Sequence, residues 1–239
     1  MTSIAEQTDA ELGGRLSVLV RQRRDHVKLD RLLQQLEGTH GQEQERVLLQ
    51  VYRLVFPHAF AEESVLWPVM RRALPDGHAL TLEVEQEHQE VNELVTRLER
   101  LDADDPERGP VLERLAEVLR EDVRDEEDEL FPRLQAVTTT AELRRLGVYW
   151  DVLRRIAPTR AHPVVARRPP GNVISALPLS VLDRLRDAAE AVARRSSGDV
   201  ADRLWAASRV LTAAAHRVER FPLLRTGEDP STRSEGSAA

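Results

Sequence analysis

The stretch HAFAEESVLWP, residues 58–68, returns 64 positions later as DVRDEEDELFP, residues 122–132. The Glu-Glu pair, the Leu, the aromatic and the Pro recur in register, and the leading residue changes from His58 to Asp122. In each copy the leading residue and the first Glu are four apart, which on a helix puts them on one face about one turn apart. The segments before these copies match as well. DHVKLDRLLQQLE, residues 25–37, aligns with EHQEVNELVTRLE, residues 87–99, at an offset of 62. The chain therefore reads as two related helical hairpins, each with a lone His on its first helix and a Glu pair on its second.

Working outward, apolar residues recur every three or four positions through most of the chain, as in Leu29, Leu32, Leu33 and Leu36, the mark of amphipathic helices. Gly38 and Gly41, the Pro68 to Pro75 segment, and the stretch from Asp102 to Pro110 cut this pattern into helices expected near 10–37, 43–73, 76–101 and 108–136. Short connections favour antiparallel neighbours, so the fold class is all-α, an up-down-up-down four-helix bundle with additional C-terminal helices. A fifth helix near 141–156 has candidate caps at Thr138 to Thr140. Residues 158–178, PTRAHPVVARRPPGNVISALP, hold five prolines and are expected to form an extended strap over the bundle. Helices near 180–196 and 199–220 follow. The organisation expected is a bundle over 8–137, a helical extension over 138–221, and a disordered tail over 222–239, which lacks an apolar face to bury.

Two hairpins packed with approximate two-fold symmetry bring inward polar residues of all four helices to one level of the core. Charges there are costly without a compensating cation. His26, His58, Glu62, His88 and Glu126, with Asp122, make a candidate metal set of imidazoles and carboxylates. It suits iron, manganese or zinc, with the two glutamates bridging. His40, His78 and His216 lack such company and read as loop or surface residues. Glu63 and Glu127, turned about 100° from the ligand face, are expected to face solvent or adjacent helices. Asp30 and Glu85, one turn from His26 and His88, are candidate partners that orient these imidazoles or substitute for a ligand. Glu85 and His88 also have a Glu-x-x-His spacing used in di-iron bundles.

With DH at 25–26, H-x3-E-E-x3-W-P at 58–68, EH at 87–88 and the second E-E-x3-F-P at 126–132 on the page, residues 20–135 resemble the hemerythrin-like family of HHE cation-binding domains. TRAHP, residues 159–163, resembles an extension found in some bacterial members. The resemblance implies a non-haem di-iron centre bridged by carboxylates, which binds or reduces dioxygen, nitric oxide or peroxide. The matching positions are His26, His58, Glu62, His88 and Glu126. Asp122 departs from the pattern, which has His there. Three outcomes are open: Asp122 ligates and makes the site richer in carboxylate, it holds a metal-bound water, or the second metal binds weakly.

Composition narrows the alternatives. The absence of Cys removes disulfides, thiolate zinc sites and iron-sulfur clusters. Residues 161–239 carry 12 Arg and 9 acidic residues, which leaves a net −10 on residues 1–160 and argues against nucleic acid as a partner. With no apolar run of about 18 residues and no signal-like N-terminus, the expectation is a cytoplasmic protein without a membrane partner. Two functions follow: a protein handling or sensing oxygen, nitric oxide or peroxide, or a di-iron oxidase or oxygenase acting on a small organic substrate, which the anionic Asp122 favours. In a third, structural reading the C-terminal helices offer a dimer surface.

Overall fold

The computed structural model describes residues 1–234. Its main body is a four-helix bundle: α1 (Val18–Glu37), α2 (Gly41–Ala61) continuing into α3 (Trp67–Ala73), α4 (Gly77–Leu98), and α5 (Arg108–Asp125) continuing into α6 (Phe131–Val137). Among the described residues there is no β-strand. The repeat appears as a shared irregularity. Single π turns, Glu62–Leu66 and Glu126–Leu130, join α2 to α3 and α5 to α6, each starting at the first Glu of its Glu-Glu pair. Such a turn absorbs one extra residue into a helix, and it is a frequent device at functional sites.

The first helix begins at residue 18 rather than 10. Gly13 and Gly14 adopt φ of 93° and 87°, a region open to Gly but not to a helix, and Ser17 caps the shortened helix by accepting from the Leu19 amide. The segment ahead still packs, with Ile4 and Leu12 fully buried.

Two apolar clusters fill the bundle. One is built from Leu29, Leu33, Val47, Val51, Val95, Leu115 and Leu119, the other from Leu19, Ala61, Leu66, Trp67, Met70, Leu130, Phe131 and Trp150. The polar level formed by His26, His58, His88 and Asp122 lies between them.

α7 (Thr140–Ile156) lies against α1 and α2. A capping box between Thr139 and Glu142 starts it, as the threonine run suggested. Gly147 lets it approach closely, since a Cβ there would meet the Leu16 carbonyl at 2.2 Å. The strap is shorter than expected: α8 (Gly171–Ala193) begins directly after Pro169 and Pro170 and carries Pro178 in its interior. Proline density hid that helix, although the first turn of a helix tolerates proline well. α9 (Asp199–Val218) packs back along α8.

The expectation of a disordered tail is corrected for residues 222–234. Leu224 is buried, its carbonyl accepts from Ala166, the Thr226 carbonyl accepts from Gly171, and Asp229 pairs with Arg168. Residues 235–239 of that tail lie outside the described residues. No helix is long and apolar enough to cross a membrane among the described residues.

Candidate metal centre

Each expected ligand is buried, from 8 % exposed at His58 and Asp122 to 0 % at Glu62 and Glu126. His58 Nε2 lies 2.9 Å from Glu62 Oε1, His26 Nε2 3.2 Å from Glu126 Oε2, and His88 Nε2 3.5 Å from Asp122 Oδ1 and 3.7 Å from Glu62 Oε2. The donor atoms fall into two sets, His26, His58, Glu62 and Glu126 on one side and His88, Asp122 and Glu126 on the other, each within 4.8 Å. Glu126 belongs to both. All six expected residues therefore converge, Asp122 included.

These contacts are close without being hydrogen bonds. Both oxygens of Glu62, both oxygens of Glu126, Asp122 Oδ1 and His26 Nε2 are buried and have no aligned partner. Carboxylates stranded in this way cost free energy, and a cation is the partner that imidazole nitrogens and carboxylate oxygens share. The residues present thus fit bound metal, with two donor sets that share Glu126.

The electrostatics carry the same strain. Burial pushes the Glu126 carboxyl up, and the charges of Glu62 and Asp122 push it further, to about 8. At His26 and His58 burial opposes the charged imidazole, yet the adjoining carboxylates outweigh it and hold the pKa at about 10 and about 9. Protons thus do at these donors part of what a cation would do.

Each imidazole is gripped from behind at Nδ1: His26 by Glu127 at 2.8 Å, His58 by Asp25 at 3.1 Å and His88 by Glu63 at 3.1 Å. Such carboxylate-imidazole pairs fix the ring and raise its basicity as a ligand. Of the two orientations open to Glu63 and Glu127, the structure has the adjacent helix, because the 100° step from each ligand Glu meets the His of the neighbouring helix. Asp30 and Glu85 do not take this role. Asp30 is exposed and accepts from Gln34, while Glu85 is fully buried between Arg71 and Arg168.

The partner that sequence reasoning missed for His58 is Asp25. It was visible as the acid before His26, repeated as Glu87 before His88, but its side chain serves the next helix. Glu87 shows what the His-to-Asp change does. Its counterpart Asp25 grips His58, whereas Glu87 faces the charge of Asp122, and burial and that charge together push its carboxyl up to about 7. Its Oε2 is left without a hydrogen-bond partner.

A model of the hemerythrin HHE cation binding domain matches residues 18–134. This span of the chain is thus a hemerythrin HHE cation-binding domain. An uncharacterized hemerythrin-like protein of Schizosaccharomyces pombe is 26 % identical over 134 residues, 56 % of this chain and 66 % of that protein. A DNA nickase of Nostoc sp. is 30 % identical over 114 residues, 47 % of this chain and 32 % of that protein. The chain thus spans less than two thirds of either relative. No solved structure matches. The hemerythrin domain ends before α7, so the strap, α8 and α9 are additions to it.

The histidine absent from the expected set is His162 of the TRAHP stretch. It is buried, with Nδ1 3.1 Å from Glu219 and Nε2 3.2 Å from Asp183. Beside it Arg160 joins Asp187, Glu190 and Glu99. His216, expected at the surface, is half-exposed and leans on Glu219 at 2.6 Å. This network ties the strap to α8 and α9.

Proposed function

We propose that the hemerythrin domain would hold two iron ions through His26, His58, Glu62, His88, Asp122 and Glu126, and would use them on dioxygen, nitric oxide or peroxide. The observation that carries the reading is the pair of donor sets joined at Glu126. Iron in this donor set supplies reversible one-electron chemistry. The chain itself supplies imidazoles oriented by Asp25, Glu63 and Glu127, and a buried enclosure.

The space at the ligands selects the reactant. A cavity of about 20 Å³ is bounded by His26, His58, His88 and Asp122 on one side and by Leu54, Val55 and Leu119 on the other. That is room for about one water-sized molecule, a scale closer to a diatomic gas or peroxide than to an organic substrate. The activity in the nickase's name is not carried over to this chain, which covers 32 % of that protein.

One observation favours the di-iron oxidase or oxygenase reading. A cleft of about 1190 Å³ between α1 and α5 reaches the outer side of His26 and Glu127 and has an apolar floor of Leu29, Leu33, Leu36 and Ala116. An organic substrate would enter there.

The test is anaerobic reconstitution with ferrous iron, metal per chain by elemental analysis, and absorption spectra before and after air. About two irons with a reversible oxygen-dependent band support gas handling. Two irons oxidised irreversibly, faster when an apolar organic molecule fills the cleft, support the oxygenase. One iron or fewer, without such a band, rejects the di-iron reading.

A further inference from the structure

The three carboxylates behind the ligand histidines differ in what stands behind them. Asp25 Oδ2 is 2.7 Å from Arg154 Nη2, and Arg154 lies over the Trp150 ring at 4.2 Å. Trp150 in turn meets the His58 ring edge-on at 5.5 Å. Glu63 Oε1 is 4.0 Å from Arg167 Nη1, and Arg167 is buried. Both arginines lie beyond residues 18–134, one on α7 and one on the strap. Glu127 has no such cation within 4.0 Å among the described residues, and with His26 it borders the cleft.

We propose, resting on the reading of the bundle as a metal centre, that Arg154 and Arg167 are positioning residues that hold the carboxylates orienting His58 and His88, so that the extension is part of the metal site. Arg167 is placed by the strap's own anchors. Its Nη2 donates to the His162 carbonyl at 2.8 Å, the His162 amide donates to Asn92 at 2.9 Å, and Asn92 donates to the carbonyl of His88 itself at 2.8 Å. Gln89 donates to the Pro163 carbonyl at 3.0 Å. The buried His162 and Arg160 networks thus fix a strap whose one cation near the site meets Glu63. Each guanidinium also places a positive charge beside one carboxylate in a region crowded with them.

The test uses the full chain, first without metal and then with Zn²⁺ in competition with a chelator. In the metal-free protein, Arg154→Met moves the imidazole ¹⁵N resonances of His58, and Arg167→Met moves those of His88, with His26 unmoved in both. Each variant weakens Zn²⁺ binding about 10-fold, the usual loss when such an outer partner is removed. Arg144→Met on α7, which loses only a bond to the Gly13 carbonyl, and Arg168→Met on the strap leave Zn²⁺ affinity unchanged. In an Asp25→Asn background Arg154→Met adds no further loss, and in a Glu63→Gln background neither does Arg167→Met.

Equal losses in the two controls, or full losses persisting in those backgrounds, would overturn the proposal, since both mean general loosening. If a Met variant does not fold, Arg154→Gln and Arg167→Gln replace it, and unmoved resonances there overturn it equally. A wild-type chain that binds no Zn²⁺ rejects the metal centre itself, a different failure.

Discussion

At the scale of the residue, two buried carboxylates concentrate the tension of the site. Glu62 and Glu126 are fully buried without an aligned hydrogen bond, and Glu62 and Asp122 crowd Glu126 with like charge, so Glu126→Gln is expected to raise the stability of the metal-free protein modestly. The same change removes metal binding; parallel melting curves and elemental analysis check both halves. Asp122→Ala is expected to cut the metal from two per chain to one, because it takes a donor from the set that has only His88 and Glu126 besides. Asp122→His should retain two, since it restores an imidazole in front of Glu87, the position at which Asp25 serves His58. These positions were legible in the sequence because the repeat marks them twice. The gripping carboxylates were not, because Asp25 and Glu63 act across helix boundaries that only packing defines.

At the scale of the element, the extension is held by buried charge. Burial opposes a charged imidazole at His162, but Asp183 and Glu219 outweigh it and raise its pKa to about 9. That stabilisation is complete below its ordinary value of 6.5 and is lost as pH rises through about 9. Glu219, despite its burial, is lowered to about 2 by His162 and His216. Its contribution is complete above 4.5 and is lost as pH falls toward 2. The α8–α9 hairpin is thus held most firmly between about pH 4.5 and 6.5, and limited proteolysis should cut it at pH 10 before the bundle. Glu219→Gln leaves His162 half-paired in a buried place and should cost roughly 3 kcal/mol, read from urea unfolding. That Asp183 and Glu219 turn inward to one strap histidine was decided by how the hairpin docks.

At the scale of the whole molecule, two apolar clusters lie on either side of the polar level and are expected to fold the bundle without help from a cation. Metal removal should therefore leave helicity intact and lower the melting temperature. Free cation at a hundred times its Kd adds about 2.7 kcal/mol, or about 5–10 °C at this chain length, and a chelator titration followed by circular dichroism checks both. A chain that lost its helices on chelation would show that the clusters are insufficient alone.

The sequence by itself determined the helical class, the paired hairpins and the six side chains that meet at the core, because helical periodicity and an internal repeat are local signals. It also determined that the fourth imidazole position carries Asp122 instead. Only the tertiary structure decided that α8 starts at Gly171, that the segment after α9 packs, and that Arg154 and Arg167 stand behind ligand histidines. The reason is physical. A ligand's helix face follows from its spacing along one helix, whereas the partner of a carboxylate reaching across to another helix depends on the packing of segments far apart in the chain.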